Sequence, residues 1–231
     1  MNREGKDNPS LLAITDGPVI GGLPELVPRT LALSPYTMIT HPGVRLEDLT
    51  AADIRRLYQG AVANWSELGG PDLPVRVVHR PTNSGTREML HQRLLGDGPQ
   101  QAPRPTVCYA VTPATPGPAF CEADSTRDML DTVANTPGAI GYSVYYDATK
   151  ASGVRLVGVD RHRPDPDQVK SGIYPLWSVE YAYSYGTPAD DGLAASFLRF
   201  LTGGRGSDIL REYSAIPCAE IRTSNSCAPT G

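Results

Sequence analysis

The chain has no apolar run approaching the ~20 residues that a membrane-spanning helix requires. It has no block of like charge either: 21 basic residues stand against 25 acidic ones, for a formal net charge of −4. That balance argues against a broad positive field for nucleic acid or an anionic membrane, so any anion site must be local. Histidine is scarce, and His41, His79, His91 and His162 are scattered without metal-ligand spacing. Each reads as a surface or strand histidine. No glycine is followed by Lys-Ser/Thr at Walker spacing, and Gly-x-Ser-x-Gly is absent. With neither a metal cluster nor an activated nucleophile, the sequence predicts no enzyme and no cofactor.

Cysteine is also sparse. Cys108 and Cys121 flank a loop rich in Pro, Thr and Ala, and Cys218 and Cys227 bracket the C-terminal tail. Neither pair has zinc spacing. Two loop-closing disulfides are the simple reading of this even set; four unrelated buried thiols are the alternative. Disulfides require an oxidising compartment, whereas the start Met1-Asn2-Arg3-Glu4-Gly5-Lys6-Asp7 lacks the apolar core of a signal peptide. The expectation is an exported protein, secreted or anchored on the outer face, whose targeting segment is absent from this chain.

What is present suits an ordered fold. The 231 residues are 40 % hydrophobic and 20 % charged, enough for one large or two small domains. Leu11-Leu12-Ala13-Ile14 reads as a strand that stops at Thr15-Asp16-Gly17-Pro18. A second strand runs from Thr30 to Thr40. A helix over Ala51–Tyr58 is capped by Thr50, with Asp53 at the capping-box position and Gly60 just beyond the end. Pro74 to Arg80 is a strand, followed by a helical pattern over Arg87–Leu95. Further helices are expected near Thr126–Ala134, Ala189–Leu201 and Gly206–Tyr213, with strands at Ala139–Tyr145 and Val179–Tyr185. In the last of these, Tyr181, Tyr183 and Tyr185 share a face, read as aromatic packing. Residues 160–175 are polar and proline-rich and read as a crossing segment. Strands alternating with helices indicate an α/β fold.

The junction after the Pro74–Arg80 strand carries the chemistry. Asn83-Ser84-Gly85-Thr86 leaves a strand and opens a helix. A helix start presents unpaired backbone N–H groups and favours negative charge. Gly85 has no Cβ to hold an anion off the backbone, Ser84 and Thr86 add hydroxyls, and Arg80 can offer a planar fork of donors. Together they can cradle a tetrahedral oxyanion. The same Ser84 is equally an ordinary N-cap.

Four stretches in this order resemble one family: Ile14-Thr15-Asp16; Asp48 through Gly60 to Asn64-Trp65; Leu73 through Arg80 to Ser84-Gly85-Thr86-Arg87; and Thr136-Pro137-Gly138-Ala139-Ile140-Gly141-Tyr142. They are similar to the substrate-binding proteins of phosphate-type ABC importers. The resemblance implies the two-lobed type-2 periplasmic-binding-protein fold, with two crossings between the lobes. Lobe I would take residues 1–33 and 172–231, and lobe II residues 34–171. Only about fifteen residues precede Asp16 where the family has a further strand–helix segment, so the first lobe is expected to be incomplete. The resemblance makes Arg80, Ser84, Gly85 and Thr86 oxyanion donors and Asp16 the acceptor. Phosphate near neutral pH keeps a proton to donate whereas sulfate has none, so a carboxylate would accept the one and repel the other. Thr82 stands where the family often has a second Asp. The implied protein is a monomer that captures phosphate or a related oxyanion and hands it to an ABC permease. The alternative is a sensory or protein-interaction domain that keeps the fold without transport.

Overall fold

A computed structural model describes residues 8, 10–18, 24–96, 118–221 and 227. Along the chain run β1 (Leu12–Asp16), β2 (Leu26–Thr40), β3 (Asp48–Leu49), α1 (Ala51–Tyr58), β4 (Arg76–His79) and α2 (Gly85–Leu90). Then follow β5 (Ala119–Glu122), α3 (Thr126–Asn135), β6 (Ala139–Val144), α4 (Tyr145–Lys150), β7 (Arg155–Val159) and α5 (Pro166–Lys170). The last elements are β8 (Trp177–Tyr185), α6 (Leu193–Thr202), α7 (Gly204–Glu212) and β9 (Ile216–Pro217). The protein is therefore of the mixed α/β class. It divides into two compact units, Met1–Ser34 with Trp177–Gly231, and Pro35–Leu176.

In the first unit β1 pairs antiparallel with β8, in a register from Leu12↔Ser184 to Asp16↔Glu180. β8 pairs in turn with β2, and β9 meets β2 at Ala32↔Pro217. Leu31, Ala182 and Leu198 form a buried cluster against Leu12 and Leu201. Cys218 and Cys227 are disulfide-bonded, and the Thr30 hydroxyl donates to the Cys227 carbonyl at 2.9 Å. Of the other expected pair, Cys121 is disulfide-bonded, while Cys108 lies outside the described residues.

In the second unit β4 runs parallel between β6 and β5, and the latter part of β2 pairs antiparallel with β6 and β7. β2 thus belongs to the ladders of both units. Fully buried Trp65, Tyr58, Tyr142, Met38, Ile39 and Leu57 fill this core. The Thr50 hydroxyl caps α1 by accepting from Asp53 N–H at 3.0 Å, so that Ile54, Leu57 and Tyr58 face inward. Gly138 has a φ of +80°, and a Cβ there would run into the Pro74 carbonyl oxygen. Only glycine lets the chain turn so close to the start of β4.

Two expectations need correcting. Residues 160–175 hold α5, started by Pro166 at its first position and by Asp165, whose carboxylate accepts from Asp167 and Gln168 N–H. Pro166 initiates this short helix, which the reading of a proline-rich crossing segment did not name. β2 begins at Leu26 rather than Thr30, its half-buried early part tolerating Pro28. Among the described residues no helix is long and apolar enough to cross a membrane, and no group of three His, Cys, Asp or Glu could hold a metal ion.

Candidate functional site

β4 is a fully buried parallel strand whose last residue is His79. Arg80 follows it, at the point where the backbone leaves the sheet. Its N–H donates to the buried Tyr142 hydroxyl on β6 at 3.1 Å. Its carbonyl accepts from the Arg87 guanidinium at 2.7 Å. Arg87 is itself buried and lies 3.5 Å from Glu122 at the end of β5. Three elements therefore fix the Arg80 backbone before its side chain is considered. One terminal nitrogen of that side chain donates to the Asp124 carbonyl at 3.0 Å. Its Nε is buried and makes no hydrogen bond among the described residues.

The loop after Arg80 closes with Ser84 N–H donating to Pro81 carbonyl at 3.0 Å. Ser84 then caps α2, its hydroxyl oxygen accepting from Arg87 N–H at 3.4 Å. Of the two roles open to Ser84, capping is present, by a long bond that leaves the hydroxyl's own proton for another acceptor. Gly85 opens the helix and Thr86, at its second position, is buried. Arg80, Ser84, Gly85 and Thr86 thus share one strand–loop–helix of the second unit.

Asp16 belongs to the first unit. It ends β1, and Gly17, with φ +94°, turns the chain after it while donating to Val179 carbonyl at 2.9 Å. Across the ladder stands Glu180. Burial, and then the nearby Asp16, push the Glu180 carboxyl up to about 8, against an ordinary 4.5, and Ser34 hydrogen-bonds to it. Glu180 was not among the candidates read from sequence. Its one signal was a lone acid among the apolar and aromatic residues of Val179-Glu180-Tyr181-Ala182-Tyr183.

Two more residues escaped the sequence reading as contributors. Tyr142 and Arg87 sit in the resembling stretches, yet their work is to hold Arg80, which only tertiary structure reveals. Burial raises the Tyr142 hydroxyl well above its ordinary pKa, so its oxygen stays a neutral acceptor. His79, packed against Tyr58 at 5.0 Å and Phe120 at 5.9 Å, is a core histidine rather than a ligand.

The sequence matches the family described as "PBP superfamily domain" over residues 19–205. It is 30 % identical over 200 residues to the phosphate-binding protein PstS of Bacillus subtilis, covering 86 % of this chain and 60 % of that protein. It is 21 % identical over 176 residues to PstS of Borreliella burgdorferi, covering 75 % of this chain and 60 % of that one. The chain therefore spans about 60 % of the length of these curated relatives. Among solved structures, a phosphate ABC transporter substrate-binding protein with bound phosphate from Clostridium perfringens superposes with a TM-score of 0.74 at 24 % identity. That match covers 89 % of this chain and 78 % of the other, and speaks for the fold.

Proposed function

This chain belongs to the PBP superfamily, and we propose that it captures inorganic phosphate, or a closely related tetrahedral oxyanion, outside the cytoplasm for an ABC permease. The observation that carries the reading is the Arg80 side chain, whose buried Nε lacks a hydrogen-bond partner among the described residues. A buried donor left unsatisfied costs about 1–3 kcal/mol, and an oxyanion would recover it. The neighbouring start of α2 supplies what such a ligand needs beside a guanidinium: backbone N–H groups, the Ser84 hydroxyl proton and an approach over Gly85. Relatives that bear the name phosphate-binding protein support the choice of ligand. Asp16 is assigned the acceptor role, taking the proton that phosphate carries and sulfate lacks. No catalytic step and no cofactor are assigned.

Calorimetric titration tests the reading. Phosphate should bind the wild-type chain and sulfate should bind far more weakly. Arg80→Ala removes one partner of a desolvated charge pair, a loss of ~2–5 kcal/mol, and should weaken phosphate binding by more than about thirtyfold. Folded protein that ignores phosphate would overturn the proposal in favour of a sensory or protein-interaction domain.

A further inference from the structure

The first unit holds a cavity of about 270 Å³ whose lining residues all belong to that unit, whereas Arg80 belongs to the other. Arg29 and Leu31 reach it from β2. Residues two apart in a strand point to one face, so Arg29 stands on the face where Leu31 joins the buried cluster with Ala182 and Leu198. Ala195, Leu198 and Arg199 reach the cavity from α6, at i, i+3 and i+4, which is one face of a helix. Asp190 comes from the connection between β8 and α6. The cavity therefore has an apolar wall built on the buried Leu31 and Leu198, with one guanidinium from the strand and one from the helix. Arg29 is half-buried, and its partner is neutral: a terminal nitrogen donates to the Ser184 hydroxyl at 2.7 Å, and that hydroxyl donates onward to the Gly186 carbonyl at 2.8 Å. Arg199 donates to the Ser196 hydroxyl at 3.1 Å. Among the described residues neither guanidinium is ion-paired to a carboxylate, Asp190 included.

We propose that this cavity is a second binding site, for a small organic carboxylate with an apolar body. Two cations face one exposed acid across it, and the apolar wall weakens the screening that water would provide. A guanidinium carries five N–H donors in a planar fork that matches a carboxylate, and each serine occupies only part of that set. An apolar lining with a few fixed polar groups is the usual make-up of a small-molecule site. At about 30 Å³ for each water-sized group, the volume accommodates roughly nine non-hydrogen atoms. A bare tetrahedral oxyanion would leave the Leu31 and Leu198 wall uncovered, so the ligand class differs from the one proposed at Arg80.

The test is titration of the full chain with sodium benzoate, whose size matches the cavity, read by calorimetry and by backbone amide NMR shifts. Benzoate should bind with a Kd at or below about 1 mM, and its shifts should map to β2 and α6. Benzamide has the same shape without the charge and should bind at least about tenfold more weakly. Arg29→Gln keeps a donor for Ser184, and Arg199→Gln keeps a good helix former; each should weaken benzoate about tenfold. Ala195→Met narrows the cavity with both arginines in place, and should remove benzoate binding while circular dichroism stays that of the wild type. Arg80→Ala should leave the benzoate affinity unchanged, and excess phosphate should not displace benzoate. Folded wild type that ignores benzoate at about 10 mM would overturn the proposal. So would equal affinity for benzoate and benzamide, undiminished binding in either arginine variant, or displacement of benzoate by phosphate. Absence of benzoate binding leaves phosphate capture standing, because that reading rests on Arg80 in the other unit.

Discussion

The two units handle charge in opposite ways. In Pro35–Leu176 the proposed oxyanion donors lie in one strand–loop–helix, and one cation holds another in place through backbone: the Arg87 guanidinium grips the Arg80 carbonyl at 2.7 Å and lies 3.5 Å from Glu122. In the other unit Asp16, the proposed acceptor, sits in a ladder directly opposite a second acid from the far end of the chain, Glu180. A local, pre-tensioned donor set suits binding by geometry. An acid pair makes stability answer to protonation. The contrast also predicts where each unit is brittle: the second in its packing, the first in its proton count.

The largest expected effect compares two glycines with positive φ. At Gly138 (+80°) an added Cβ meets the Pro74 carbonyl, and Gly138's own carbonyl accepts from Trp65 Nε1 at 2.9 Å and Arg76 N–H at 3.0 Å. Gly138→Ala therefore combines backbone strain with overpacking, about 2–5 kcal/mol together, a large share of a domain's stability. At Gly17 (+94°) nothing lies closer to an added Cβ than Ser178 Oγ at 3.9 Å. Gly17→Ala should cost only the left-handed backbone penalty, about 1–2 kcal/mol. Urea unfolding measures both. Equal losses would mean the second unit is no tighter than the first.

The next effect sharpens the view that Arg87 works through Arg80. Arg87→Leu keeps a buried side chain but leaves the Arg80 carbonyl and Glu122 without their donor. That should cost about 2–3 kcal/mol of stability. It should also weaken phosphate binding by about tenfold, although Arg87 is not among the assigned ligand donors. A stability loss with full affinity would show that Arg80 needs no such support.

How much of this could be read from the chain follows the same division. The strand, the loop and the helix start around Arg80 were legible because their ingredients are contiguous: buried β-branched residues, a turn, then Ser-Gly-Thr. The Thr50 cap was legible for the same reason. What stayed hidden depends on partners distant in sequence. The register that sets Glu180 against Asp16 is fixed by β1 meeting β8, and a one-residue slip would have turned the acids to opposite faces. Tyr142 and Arg87 stood within recognised stretches, but their bonds to Arg80 cross between elements. α5 was missed because five residues carry too little periodicity to outweigh the prolines around them.

The smallest effect is a pair of opposite pH responses, one per unit. His79 in the second unit is 1 % exposed, and burial, aided by Arg87 and His91, pushes its imidazole down to about 3 from 6.5. The unfolded chain binds the extra proton between those values, so the stability His79 confers is complete above 6.5 and is lost as pH falls toward 3. Over the step from pH 7 to pH 5 that amounts to about 2 kcal/mol. Glu180 in the first unit runs the other way. Its folded pKa is raised to about 8 from 4.5, so the folded chain binds the extra proton. Its contribution is complete below 4.5 and is lost as pH rises through 8. Glu180 is only half-buried, and solvent screening reduces this to about 1 kcal/mol. Urea unfolding at pH 5, 6.5 and 8 separates the two. His79→Phe, which keeps the ring contacts with Tyr58 and Phe120, should flatten the acid limb and leave the alkaline limb alone. Glu180→Gln should do the reverse. If either substitution flattens both limbs, the two responses are not housed in separate units and the contrast between them fails.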